Sequence, residues 1–523
     1  MDLSRRQFYQ YSAQFFLSSF MPIAYTKLLR PSLSETEINQ YLKTAYNALI
    51  TGTELLVPTY LGNPQRRFYG RGIPQGFNIL NQFPLGTGVT YVGKTRKVWS
   101  GAGWTGQPTL VRDQGKIYLV IGSFDHYLRK IDFETNEEVW HYKFDDVIKG
   151  TATIYIDKTA SEDNQIVILQ GSRTGQPKNG LAPSLRAISF RTGQEIWKLD
   201  IRKTISYSRD NDSSALPLEN NLIFNAAENG IGYFFNKSTE KTVNKSGFVQ
   251  PQIFAEVQLY KNSDRQRQGR NLVAESSPAR IDNQIFIAAG SGHIYGIDID
   301  TKTINWDFYT GSDLDGTVAI SKTGHLFCAI EKQYIAGKGG VIKLNPKQLP
   351  QESVEWFLPT GNVKVNSWLG GIIGSVAIND EYNIDDFPAL FATNAIDGYL
   401  YIGSQNITTG KKVKGFLGKG EYQTPLILFK QKIGTSISTP IFTDGNKLIT
   451  ASYNGVYLFN LYWDEVKPGF SDALPAANGN YYHLTVEQVD HFKPGISFEA
   501  TPVVWDGKVM ICGRDGWLYT LGG

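Results

Sequence analysis

The chain has 523 residues, 52 Lys and Arg against 49 Asp and Glu, a formal net charge of +3 and two cysteines. Near-neutral charge excludes a nucleic-acid binder held mainly by phosphate contacts, and two cysteines exclude a disulfide framework or a Cys-rich zinc site. With 52 Gly, 28 Tyr, 29 Phe and 10 Trp beside only 19% charged residues, the balance leans to an all-β protein, and 41% hydrophobic residues suffice for a sizeable core.

Residues 4–8 read Ser-Arg-Arg-Gln-Phe ahead of a weakly apolar stretch from Tyr9 to Tyr25. Arg5 and Arg6 in this setting resemble a twin-arginine export signal, an address read by a receptor and not an anchor. No A-x-A cleavage site precedes Lys27. The stretch is broken by Gln10, Ser12, Gln14, Ser18 and Ser19 and falls short of the ~18 uninterrupted apolar residues of a membrane span. The expected location is exported and periplasmic, or an equivalent extracytoplasmic compartment, with no transmembrane span.

Ser34-Glu-Thr-Glu37 is a capping-box pattern followed by Ile38, Leu42, Ala45 and Leu49 at helical spacing, which predicts a helix from about Ser34 to Ile50. From Gly52 to Gly88 the chain is rich in Gly and Pro, with basic dipeptides such as Arg66-Arg67, and reads as an irregular arm lying over a larger domain.

From about residue 89 the chain repeats itself. Lys116-Ile-Tyr-Leu-Val-Ile-Gly-Ser-Phe-Asp, His126-Tyr-Leu-Arg-Lys-Ile-Asp and Thr135-Asn-Glu-Glu-Val-Trp140 return in part at 184–197, at 284–306 and at 340–356. The pairs Trp99 and Trp140, Trp140 and Trp197, and Trp306 and Trp356 are 41, 57 and 50 residues apart, against roughly 40–50 residues for a four-stranded propeller blade. Asp397-Gly398, Asn454-Gly455, Asp506-Gly507 and Asp515-Gly516 supply hairpin turns. The closing Trp is placed to pack between one blade and the next.

First strands begin near Gly106, Gly150, Ser213, Ser276, Gly316, Gly374, Ser436 and Glu499, and the last unit lacks a fourth strand. Arg96-Lys-Val-Trp99 is a fourth strand without a blade, so pairing the two would close the ring and remove both sheet edges. The prediction is an all-β, eight-bladed β-propeller of four-stranded blades closed by an N-terminal strand. The chain divides into an export signal over 1–30, a helix and arm over 31–88, and a propeller over 89–523.

This repeat, a strand, Gly-Ser, Leu/Ile-Tyr-x-Ile/Leu-Asp, Thr-Gly and Trp, resembles the PQQ-type propeller repeat over roughly residues 96–523. That family includes quinoprotein alcohol dehydrogenases and the propeller lipoprotein of the outer-membrane barrel-assembly machine. The dehydrogenase side of the resemblance implies PQQ and calcium in the central funnel, an aspartate base and a disulfide of adjacent cysteines. Trp306-Asp-Phe-Tyr-Thr-Gly-Ser-Asp-Leu-Asp315 makes Asp315 the position matching the catalytic base. Cys328 and Cys512 are far apart and read as two buried free thiols, and no Glu and Asn pair stands where the family holds calcium.

First strands line the funnel, so Arg209, Asp210, Asp212, Glu275, Asp315, Ser436 and Glu499 are expected to face one another. Such carboxylates either recruit a cation or polar ligand or cap strand ends. The six histidines, at 126, 141, 293, 325, 483 and 491, show no metal-ligand spacing. Gly101-Ala-Gly-Trp-Thr-Gly106 matches G-x-G-x-x-G, but strands follow it where a dinucleotide fold needs a helix. The basic runs Lys261–Arg270 and Lys411–Lys419 read as solvated outer loops. Two functions follow. One is a binding or assembly module that holds a protein or small polar ligand at its funnel face, with no committed cofactor. The other is a PQQ- and calcium-dependent dehydrogenase of alcohols or sugars.

Overall fold

In the repeats a tight turn sets each pair of strands. Asp506 and Gly507 both take positive φ, 51° and 72°, which a two-residue turn between Val503–Trp505 and Lys508–Cys512 demands. Asp397 and Asp515 each accept a hydrogen bond from the tyrosine four residues on, Tyr401 at 2.7 Å and Tyr519 at 2.6 Å. The recurring Asp-Gly-x-x-Tyr is therefore a turn locked by its own following strand.

The computed structural model describes residues 49–175, 180–383 and 386–523. Arg5 and Arg6 and most of the helix expected from Ser34 lie outside them. At that helix's expected end, Leu49–Ile50 is instead a short strand paired with Thr53–Glu54. The rest is an eight-bladed β-propeller of four-stranded antiparallel sheets. The first strands start at Thr109, Thr153, Leu216, Ala279, Ala319, Ala377, Ile441 and Val503, a few residues after the expected leaders. Among the described residues no helix is long and apolar enough to cross a membrane.

Blades are joined by apolar side chains and by a belt of hydroxyls. Trp140, Trp197, Trp306 and Trp356 lie in fourth strands as expected. Trp197 packs edge-on to Phe235 of the following blade at 5.6 Å, and Trp356 lies 5.0 Å from Phe391. Trp140 and Trp356 also donate Nε1–H to backbone carbonyls of the next blade, Phe190 and Gln405. Nearer the axis, the backbone N–H groups of Ser214, Ser277, Thr317 and Ser375 donate to the hydroxyls of Ser277, Thr317, Ser375 and Thr439, each at 2.9 Å. The Ser or Thr that leads these four first strands thus satisfies a donor of the blade before it. Cys328 and Cys512 are buried free thiols in the fifth and eighth blades.

An N-terminal strand closes the ring, but it is Asn78–Pro84 that pairs with Trp517–Gly522 and completes the eighth blade. The expected strand, Arg96-Lys-Val-Trp99, belongs instead to an exposed hairpin of Thr87–Val92 and Thr95–Ser100. Trp99 made it look like a blade strand, yet its ring packs 5.2 Å from Phe124 on the surface, under the Arg173 guanidinium. Asn78–Pro84 has only one buried apolar residue, Phe83. An outermost strand needs one covered face and so carries little apolar signal.

The arm does not lie over the propeller; it runs inside it. Thr53–Val57 adds to the inner edge of the first blade by pairing with Thr109–Asp113. Pro58 O then accepts from Ile154 N, Pro64 O from Arg280 N and Gln65 O from Ile320 N, at 2.7, 2.7 and 2.9 Å. Tyr69 takes Ile378 N on its hydroxyl, Tyr60 Oη meets Thr439 at 3.0 Å, and Gly70 pairs in parallel with Val504. At Gly70 a β-carbon would fall 1.7 Å from Val504 O, so only glycine fits. Arg66, fully buried, donates to Pro278 O at 2.8 Å and Ser214 O at 3.3 Å. The arm thereby touches all eight blades.

Arg67, 2% exposed, donates to Glu381 at 2.6 Å and to Ile320 O at 2.7 Å, with Asp380 at 3.8 Å. Removing one member of a buried ion pair leaves the other charge unpaired, which costs about 3–5 kcal/mol. Arg67→Ala should lower stability by that order in chemical denaturation, and adding Glu381→Leu should recover part of the loss. An Arg67→Ala variant as stable as the parent would contradict the plugged channel.

Candidate functional site

The arm approaches the turns after the first strands, at Asp444 and at Asp506-Gly507. The connections that lead into the first strands therefore open on the other mouth, together with the turns between second and third strands. That mouth carries the charge. Lys149, just before the second blade, forms ion pairs with Asp212, with Glu228 at 3.4 Å and with Glu275 at 3.9 Å. The oxygens of these three carboxylates lie within 4.8 Å of one another, the spacing of a cation site. The Lys149 ammonium stands among them as the cation. Asp210 is held separately, by Arg173 Nε at 2.7 Å and by the N–H and hydroxyl of Thr174 at 2.9 Å. Asp313, Asp315 and Glu331 of the fifth blade extend the acidic arc.

Burial and mutual repulsion dominate the electrostatics. Burial first, and then neighbouring acids, push Asp212 up to about 6, Glu275 to about 7 and Glu228 to about 8. Burial alone would lower Lys149, but Asp212, Glu228 and Glu275 outweigh it and hold the ammonium well above its usual range. One ammonium among three acids stays charged, and the acids share the deficit. Glu331 is pushed up to about 9 by burial and then by Asp315 and Glu275. Asp313 and Asp315 rise well above the carboxylate range, first by burial, then by Glu331 for Asp313 and by Asp313 for Asp315.

Of the residues expected at the funnel, Asp210, Asp212, Glu275 and Asp315 come together. Arg209 turns outward to Ile201 O at 2.5 Å, Gly180 O at 2.7 Å and Asp200 at 3.1 Å. Ser436 donates to Ala451 O at 2.6 Å inside the seventh blade. Glu499 stands apart, with Tyr453 at 3.1 Å and Arg514 at 3.5 Å. Lys149, Arg173, Glu228, Asp313 and Glu331 were not singled out from the sequence. Glu228 and Glu331 directly follow the second strands Leu222–Ala227 and Leu326–Ile330. Because that turn shares a mouth with the first-strand leaders, topology alone could have nominated them.

Beside the acidic arc lies an apolar one. Trp104, Val365 and Trp368 pack on the buried Ile373, Ile396 and Ile437. Trp104 falls within the G-x-G-x-x-G match, which leads into the strand Thr109–Asp113 and not into a helix.

No protein-family model and no curated protein matches the chain. Solved structures of similar fold do exist. A europium-containing methanol dehydrogenase aligns at TM-score 0.51 and 10% identity, over 88% of this chain and 91% of its own. BamB from Moraxella catarrhalis aligns at 0.47 and 12%, over 86% and 98%. A quinohemoprotein alcohol dehydrogenase from Comamonas testosteroni aligns at 0.47 and 13%, over 91% and 81%. At these identities the likeness is one of fold.

Raised carboxyl pKa values make stability fall with pH. Each such group binds its proton more tightly folded than unfolded, so its contribution is complete below the ordinary range near 4 and is lost as pH rises through its folded value. The melting temperature should drop progressively between about pH 5 and pH 9, the span set by Asp212, Glu275, Glu228 and Glu331. Glu331→Gln should flatten the upper part of that slope. A midpoint unchanged from pH 6 to pH 9 would refute this account of the arc.

Proposed function

We propose that the chain is an exported binding propeller that holds a small polar ligand or a protein segment at the acidic mouth of its funnel. The observation that carries this reading is a channel blocked by its own N-terminal arm at one end and lined at the other by buried, under-neutralised carboxyls. Such a site recognises charge and excludes water, and a scaffold has no folding reason to keep it.

The second reading is a PQQ-dependent dehydrogenase, favoured by the place of Asp315 among the funnel carboxyls. The donor set does not fit that cofactor. PQQ is itself a tricarboxylate, and Lys149, Arg173 and Arg514 of the mouth already carry carboxylates. Asp212 Oδ1, Asp313 Oδ1 and Glu331 Oε1 are buried acceptors without a partner and would repel its carboxylates, and the unpartnered donors beside them, Asn211 Nδ2 and Ser213 Oγ, carry no charge. Cys328 and Cys512 lie in different blades and cannot form a pair of adjacent half-cystines.

Two measurements test these statements. Protein incubated with PQQ and calcium should show no stoichiometric quinone absorption and no dye-linked alcohol oxidation; uptake with turnover would replace the binding reading by the enzymatic one. For export, replacing Arg5 and Arg6 by lysines should leave the chain in the cytoplasm while the parent reaches the periplasm. Unchanged fractionation would remove the twin-arginine signal.

A further inference from the structure

The proposed binding role narrows when the charges of the mouth are assigned one by one. Arg173 serves Asp210, and Lys149 serves Asp212, Glu228 and Glu275. Asp313, Asp315 and Glu331 have no cationic side chain within 4.0 Å among the described residues. Asp313 and Glu331 are 7% and 2% exposed, and Asp313 Oδ1 and Glu331 Oε1 find no hydrogen-bond donor. Asn271 serves only the other oxygen of Asp313, at 2.5 Å. Buried acceptors are normally satisfied, and a donor that carries positive charge would satisfy these two most strongly.

The neighbouring wall says which cation. Gly316, next to Asp315, lies so close to the following blade that a β-carbon there would stand 2.7 Å from Gly374 O and 3.3 Å from Ile373 O. Ile373 belongs to the apolar arc with Trp104 and Trp368. At the other end, Gly103, next to Trp104, abuts Lys149, with 3.3 Å between a β-carbon and Lys149 O. The backbones that carry the carboxyl arc and the apolar arc are thus adjacent at both ends. A metal ion would use only the oxygens, whereas an amine with an apolar body uses both halves, its ammonium on the acids and its body on the indole and isoleucine wall.

We propose, resting on the binding reading above, that the funnel binds a small organic ammonium bearing an aryl or branched alkyl group, with Asp313, Asp315 and Glu331 as its anion and Trp104 and Ile373 as its apolar wall. Because burial and mutual repulsion make these carboxyls hold their protons more tightly than free acids do, the ligand drives protons off them as it binds.

The test is calorimetry on the full chain with 2-phenylethylamine, its neutral analogue 2-phenylethanol, the anion phenylacetate, and calcium alone. The amine should bind at least tenfold more tightly than the alcohol, phenylacetate should not bind, and at neutral pH amine binding should release protons, read from buffers of different ionisation enthalpy. Asp315→Asn and Glu331→Gln should each weaken the amine tenfold or more without lowering the melting temperature, since both relieve repulsion. Trp104→Ala should reduce the preference for 2-phenylethylamine over methylamine. Equal binding of amine and alcohol, calcium binding without amine binding, or no binding of any probe overturns the inference. None of these outcomes touches the binding of a protein segment, whereas stoichiometric PQQ uptake would remove the binding reading itself.

Discussion

Eight sheets standing around an axis present eight inner strands whose unpaired edge groups face the channel. Most of the molecule follows from how those groups are satisfied. Between blades, the hydroxyls of Ser277, Thr317, Ser375 and Thr439 accept from the backbone of the preceding blade. Across the channel, the arm offers Pro58, Pro64 and Gln65 carbonyls to Ile154, Arg280 and Ile320. The two buried arginines of the arm reach carbonyls that its backbone does not. Because buried backbone donors and acceptors must be paired, the arm belongs to the core, although it enters from outside the repeat.

This solution divides the channel into two unlike ends. At the arm's end, positive side chains meet carbonyls and the carboxylates Asp380 and Glu381, and the charge closes on itself. At the opposite mouth, carboxyls outnumber cations and Lys149 alone serves three of them. Concentrating repulsion in one buried place lowers the stability of the fold, and a ring held by eight interfaces can sustain that loss. The same deficit gives the mouth its selectivity for positive charge.

Much of the scaffold was readable from local pattern. Gly150, Ser213, Ser276, Gly316 and Gly374 each stand three residues ahead of a first strand, because the entry into the channel recurs at a fixed place and most blades add an inter-blade hydroxyl there. Trp140, Trp197, Trp306 and Trp356 mark fourth strands because the gap between blades is the same size each time. The same rule failed at Trp99, where an aromatic in an extended strand packs on the surface, and it gave no sign of Asn78–Pro84, whose apolar face is almost all exposed. At the funnel, Asp210, Asp212, Glu275 and Asp315 were legible as strand leaders. Arg209 and Ser436 shared that position yet turn elsewhere, since facing depends on side-chain direction and not on register.

What the amino-acid sequence determined by itself is whatever repeats: blade number, strand order, turn chemistry and the absence of a cysteine pair. These rest on short-range periodicity and need no knowledge of distant contacts. What only the tertiary structure decided is whatever occurs once. Arg66-Arg67 looks like any exposed basic dipeptide until the channel wraps around it. Lys149 looks like any surface lysine until Asp212, Glu228 and Glu275 arrive from other blades. The physical reason is that a charge takes its meaning from groups brought to it across the fold, whereas a turn or a packing tryptophan takes its meaning from neighbours a few residues away.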